Sequence, residues 1–228
     1  MGTAIVVGGT GGLGLAVAAH LTARGDEVVV TSRDKARAES AAASLGAGVR
    51  GLAVDLAEPS TIAAALAEVT EVDHLVVTAT SQVPNTLDAF DVDAAVTAHT
   101  IKLVGYAEVV RVLRPHFRPG AAVVLFGGVA ADRPYPGSTA VTTHNAGLGG
   151  LARSLAVQIA PHRVNVLHPG IVGDSPKWRD MPDHPHVART PLGRLVTVSE
   201  IVDATDFLLR NGGVNAQELY IEGGVLAG

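Results

Sequence analysis

Ala4-Ile5-Val6-Val7-Gly8-Gly9-Thr10-Gly11-Gly12-Leu13-Gly14 is the stretch that decides how this chain is read. Four apolar residues of strand length run into five glycines within seven positions. A helical segment, Gly12–Arg24, follows, with Leu13, Val17 and Leu21 near one face. Glycine at this density is entropically costly, so the loop is expected to need positive φ or a very close approach to something. Two spacings fit: Gly9, Gly11 and Gly14 as G-x-G-x-x-G, or Gly8, Gly12 and Gly14 as G-x-x-x-G-x-G. A strand–glycine loop–helix unit offers backbone N–H groups and a helix dipole to a pyrophosphate. The expectation is a dinucleotide site built from Gly8, Thr10, Gly11, Gly12, Leu13 and Gly14; the competing reading is a glycine-rich turn with no ligand.

Beyond this unit, Gly25-Asp26 turns the chain into a second strand, Glu27–Thr31, which ends Thr31-Ser32-Arg33. NAD sites place an acid at such a strand end for the ribose 2′-hydroxyl. Here Ser32 and Arg33 occupy it, and a guanidinium suits a 2′-phosphate, so NADP(H) is expected over NAD(H). Asp34 follows directly; it keeps NAD open and also suits the cap of the helix Lys35–Leu45. After a third strand, Gly51–Val54, comes Asp55-Leu56. Asp55 is placed either to accept from an adenine amino group or to cap its own turn.

The rest alternates in the same way. A helix is expected over Thr61–Val69 behind Ser60, a strand over His74–Thr78, and a long helical stretch, in one piece or two, from about Leu87 to Phe117. Strand Ala121–Phe126, helix Thr139–Ala160, strand Arg163–Leu167, helix Ser199–Arg210 and strand Glu218–Ile221 complete it. About seven strands alternating with helices call for a single α/β domain over residues 1–228: a Rossmann-type doubly wound parallel sheet with helices on both faces. Residues 169–191 carry five prolines outside a strand end and are expected to be a substrate lid.

Composition agrees. Hydrophobic residues are 47% and aromatics 4%, so the core must be aliphatic, as sheets buried on both faces are. A net charge of −5 without a basic block argues against nucleic acid. No cysteine means no disulfide or thiolate site, which fits a cytoplasmic protein. No apolar run reaches membrane-spanning length, and Met1 to Val7 lacks the basic start of a signal peptide. Asp180, Asp183, His184 and His186 sit close together, but in an irregular loop they define no ligand geometry, and no metal is expected.

The glycine loop, Thr31-Ser32-Arg33, Asp55-Leu56, the run Arg163-Val164-Asn165-Val166-Leu167-His168-Pro169-Gly170 and the terminal Leu219-Tyr220-Ile221-Glu222-Gly223-Gly224 stand in an order and spacing that resembles the short-chain dehydrogenase/reductase family. The resemblance implies a nicotinamide cofactor contacted also by Ala79, Pro169, Gly170 and Val172, a small-molecule substrate, and a homodimer or homotetramer. It also implies a catalytic Tyr-x-x-x-Lys pair, a serine and an asparagine. Anchored on Gly150-Leu151-Ala152-Arg153-Ser154-Leu155-Ala156, the register puts Val141 at the tyrosine, Asn145 at the lysine, Gly128 at the serine and Lys102 at the asparagine. Tyr135 has Thr139, not lysine, four residues on. The family's Asn-Asn-Ala-Gly is Val77-Thr78-Ala79-Thr80, and Asp174 stands where a threonine would bind the carboxamide.

A valine transfers no proton, so other groups must act if the chain is an enzyme. Lys102, His144 and His168 are the catalytic candidates, each with a packing or surface role as its alternative. Asn145 falls to cofactor binding. Asp132, Arg133, Thr142 and Thr143 are weaker substrate contacts. Three functional readings stay open: an NADP(H)-dependent reductase of a carbonyl, enone or imine using a non-standard acid; a non-redox enzyme on the same fold; and a non-catalytic NADP(H)-binding sensor or partner subunit.

Overall fold

The computed structural model describes residues 2–81, 85–181 and 184–227. Seven parallel strands form one sheet in the order β3-β2-β1-β4-β5-β6-β7. They are β1 (Thr3–Val7), β2 (Glu27–Ser32), β3 (Arg50–Ala53), β4 (Val72–Val77), β5 (Phe117–Phe126), β6 (Arg163–Pro169) and β7 (Glu218–Ile221). The helices are α1 (Gly12–Ala23), α2 (Lys35–Leu45), α3 (Ile62–Ala65), α4 (Val92–His99), α5 (Tyr106–Leu113), α6 (Thr139–Gln158) and α7 (Val198–Arg210). None is long and apolar enough to cross a membrane, among the described residues.

Strand alternation sorts the core onto two faces. Ile5 and Val7 of β1, Leu75 and Val77 of β4, and Val123 and Leu125 of β5 pack with Ile62, Val109 and Leu148 from α3, α5 and α6. Their neighbours Ala4, Val6, Val76 and Val124 pack on the other face with Val17, Leu21, Ile201 and Leu208 from α1 and α7. A period of two with both sets buried is what crossover helices on both faces demand. The chain reverses its direction of travel across the sheet between β1 and β4, so a crevice opens beyond the carboxyl ends of those strands.

Three segments depart from the sequence expectation. The helix expected over Thr61–Val69 opens as a 3₁₀ turn at Pro59–Thr61 and is α-helical only over Ile62–Ala65. Pro59 rather than Ser60 leads the turn, and Leu66 at φ −103°, ψ 8° leaves helical geometry. The α-helical part of the Leu87–Phe117 stretch ends at Leu113 and passes into a 3₁₀ turn, Arg114–His116, where Pro115 supplies no N–H to continue the α-helix. β5 therefore starts at Phe117, which pairs with Val72 before an irregularity restores register at His74–Ala122. Between α4 and α5 the chain makes a π-helical turn, Thr100–Gly105, with Lys102 inside it. Such wide turns are frequent at functional sites.

Candidate active site

The crevice is a cleft of about 960 Å³ along the carboxyl ends of the strands. Its floor at one end is the glycine loop. Gly8 and Gly12 have φ of +85° and +51°, which selects the Gly8/Gly12/Gly14 spacing. A Cβ on Gly14 would lie 2.3 Å from the Gly8 carbonyl oxygen, so the loop closes only with glycine there. Thr78 Oγ1 ties the loop to β4 through the Val7 and Gly8 carbonyls at 3.1 and 3.2 Å. α1 starts behind Gly11 with no side-chain cap and no acid in its first turn, leaving its N–H groups for an anion.

At the β2 end, Ser32, Arg33 and Arg37 line the cleft. Asp34 does not: its carboxylate accepts from Arg37 N–H at 2.8 Å and caps α2. Asp55 lines the cleft beside Leu56, and its Oδ1 accepts from Ala57 N–H at 2.9 Å, so the carboxylate serves its own turn. Arg33, Arg37, Lys102, Lys177 and Arg189 face the cleft against Asp55 as the one carboxylate among its described lining residues. In a chain of net charge −5, that concentration of cations favours a polyanionic occupant.

At the other end lie Lys102, Gly128, Val141 and Asn145, with Ala79, Pro169 and Gly170. Lys102 is 2% exposed. Its Nζ donates to Tyr106 Oη at 3.1 Å. Tyr106 Oη donates to the Ala79 carbonyl at 2.8 Å, with the Phe126 carbonyl 3.3 Å away. The amine therefore sits beneath the ends of β4 and β5. Burial alone lowers its pKa to about 7, and burial raises that of Tyr106 well above the usual phenol range. Lys102 is thus both ammonium and amine near neutral pH, while Tyr106 stays protonated. Asn145 Oδ1 is buried without a hydrogen-bond partner.

These groups fit a nicotinamide dinucleotide. The uncapped helix start and the glycine cradle suit its pyrophosphate, and the unpartnered Asn145 Oδ1 suits a ribose hydroxyl. The family model described as enoyl-(acyl carrier protein) reductase matches residues 8–226. Carbonyl reductase family member 4 of Danio rerio is 29% identical over 97% of this chain and 97% of its own length. The short-chain dehydrogenase/reductase ucsE of Acremonium sp is 34% identical over 74% of this chain and 71% of its own. The chain belongs to the short-chain dehydrogenase/reductase family. A solved structure described as a short chain dehydrogenase/reductase family protein superposes with a TM-score of 0.88 at 30% identity, covering 99% of this chain and 97% of its own.

In this family member the cleft does not gather every residue the sequence singled out. His168 is fully buried at the end of β6 and does not line it. Its ring stacks on Tyr220 at 4.5 Å, and Nε2 lies 3.2 Å from Glu218 Oε2. With Nε2–H donating to Glu218, Nδ1 accepts from Gly128 N–H at 3.1 Å, and both nitrogens are spent. Burial lowers its pKa against the opposing effect of these bonds. His144 also turns away from the cleft, edge-on to His99 at 5.7 Å. Burial first, then the charge of Lys102, pushes its pKa to about 3, so it stays neutral.

Val172 joins the core against Val196, and its neighbour Ile171 lines the cleft instead. Arg133 donates to the Val225 carbonyl, and neither it nor Asp132 lines the cleft. Thr142 and Thr143 bond to Ser138 and to the Thr139 carbonyl. Asp174 accepts from Val198 N–H at 2.7 Å and caps α7. In the 169–191 segment, His184 packs on the Trp178 ring at 4.7 Å and His186 at 5.1 Å. Asp183 lies outside the described residues. Sequence reasoning missed Arg37, Tyr106, Trp178 and Arg189. Arg37 and Tyr106 carried a signal, each standing four residues after a residue already singled out.

Proposed function

We propose that this chain is an NADP(H)-dependent reductase of a small carbonyl, enone or imine, in which Lys102 supplies the proton that the family's tyrosine would otherwise give. The observation that carries this reading is the buried Lys102 amine on the cleft wall, beside Val141 and Gly128, which have no proton to give. Arg33 and Arg37 would hold a 2′-phosphate, a preference supported by the use of Asp34 as a helix cap. The glycine loop would hold the pyrophosphate, and Asn145 a ribose hydroxyl. When bound, the reduced cofactor supplies a hydride.

Lys102 then has one task. Its ammonium, anchored through Tyr106, presents its remaining N–H bonds to the cleft and passes a proton from Nζ to the oxygen or nitrogen that gains negative charge. Ile101, Phe126 and Val141 keep that space dry, which strengthens the interaction. Residues 169–191 act as the lid, bringing Ile171, Trp178 and Arg189 to the cleft. Val92, Val96 and Val104, exposed at 61%, 60% and 54% along α4 and the π turn, support self-association into a homodimer or homotetramer.

The test is NADPH oxidation across imines, enones and ketones, for the wild type and Lys102→Met. Oxidation that the variant loses supports the reading. NADPH binding without turnover on any of these classes favours a non-catalytic binding protein, and turnover of a substrate at constant nicotinamide absorbance favours a non-redox enzyme.

A further inference from the structure

Lys102 has a second chemical capacity. An amine that is part neutral, buried in an apolar wall and free of any carboxylate is a nucleophile as well as an acid. Three observations meet here. The hydrogen bond to Tyr106 Oη fixes Nζ beneath the ends of β4 and β5 without neutralising it. Asp55, the one acid lining the cleft among the described residues, bonds to its own turn. The positions the family gives to a serine and a tyrosine are Gly128 and Val141, so no hydroxyl at either place competes for a carbonyl oxygen.

We propose that Lys102 is a covalent site for small aldehydes, which its side-chain amine converts to an imine in the cleft. The Nζ lone pair attacks the carbonyl carbon, the C=O π electrons move to oxygen, and one of the two amine protons passes from nitrogen to that oxygen to give a neutral carbinolamine. The hydroxyl takes up a proton from solvent and the nitrogen lone pair expels it as water, leaving an iminium; release of the second amine proton to solvent gives the imine and restores the proton taken up. A C=N bond replaces the C=O bond, one water leaves, and nothing is oxidised or reduced. Dehydration is favoured where Ile101, Phe126 and Val141 limit access of water. An unsaturated aldehyde held in this way would be a conjugated iminium, a stronger hydride acceptor than the free enal. The inference rests on the reading of the cleft as a carbonyl site, but its test needs no cofactor.

The chain has three lysines, which makes that test clean. Lys35 is exposed on α2, 3.8 Å from Glu39, and Lys177 lies over the Trp178 ring at 4.7 Å. The full chain is incubated with benzaldehyde and sodium cyanoborohydride at neutral pH, and the benzylated lysine is located by peptide mass mapping. The expected result is one benzyl group on Lys102, added about tenfold or more faster than at Lys35 or Lys177. Lys102→Arg should lose it while keeping length and charge.

Even labelling of the three lysines, or labelling of Lys35 and Lys177 with Lys102 untouched, overturns the proposal. Because the mapping reads Lys102 in the wild-type chain, it does not depend on the variant folding. NADPH oxidation with Lys102 unlabelled removes the covalent site and leaves the reductase reading standing. Labelling without NADPH oxidation does the reverse.

Discussion

Replacing Lys102 by methionine should make this protein more stable, and by an amount that depends on pH. The amine titrates at about 7 in the folded chain because it is buried, and near 10.4 when the chain unfolds. Well below pH 7 both states hold the proton, and the native state bears the whole cost of burying the charge. Between about 7 and 10.4 only the unfolded chain holds it, so stability rises with pH; above both values the cost is gone. Integrating the linkage gives a penalty of about 4 kcal/mol at pH 7 and about 2 kcal/mol at pH 9.

Methionine keeps the aliphatic stem and nearly the volume, and removes the charge. It also removes the bond to Tyr106, at a cost of about 1 kcal/mol. The variant is therefore expected to be more stable by about 3 kcal/mol at pH 7 and about 1 kcal/mol at pH 9. Urea unfolding followed by circular dichroism, with matched slopes, measures both gaps. Lys102 also presses on His144, but that pKa, about 3, lies well below both pH values, so the comparison isolates the lysine. Equal or lower stability of the variant at pH 7, or a gap that does not shrink by pH 9, would refute the claim that Lys102 is a buried, destabilising ammonium.

Three further outcomes are expected. Arg33→Ala and Arg37→Ala should each weaken NADPH binding by about 1.5–3 kcal/mol, roughly ten- to a hundredfold, and leave NADH binding unchanged; fluorescence titration decides it. Reductase activity should fall about tenfold per pH unit above about 7, as Lys102 loses its proton, and should be level below that pH, read from a kcat profile. Gly14→Ala puts a methyl 2.3 Å from the Gly8 carbonyl oxygen, so NADPH binding should be lost and the melting temperature should drop; an unchanged affinity would show that the loop is not the pyrophosphate cradle.

The frame of the molecule was legible because its signals are periodic and local. Apolar runs of strand length, five glycines in seven positions and the regular return of helical segments between the runs all point to the same fold. The π turn at Lys102 was not legible, since a single wide turn shifts the apolar pattern by only one residue. His168 and Val172 were placed on the right element ends but not on the right sides. For His168 parity gave no signal, because every residue of β6 is buried on one face of the sheet or the other. Asp34 and Asp55 show the other limit. A carboxylate at a strand end serves a ligand or its own backbone equally well, and only coordinates show where its oxygens are spent.

Ala79 joins the two halves of the cleft through a single peptide. Its N–H edge is pressed against Gly8, so close that a Cβ there would lie 2.8 Å from its nitrogen. Its carbonyl takes the proton of the tyrosine that anchors Lys102. The residue at the tip of β4 is thus a common bearing for the glycine loop and the buried amine. A substitution that shifts β4 by a few tenths of an ångström would misalign both at once. Cofactor grip and proton delivery would then fail together, although no side chain that touches a ligand had been altered.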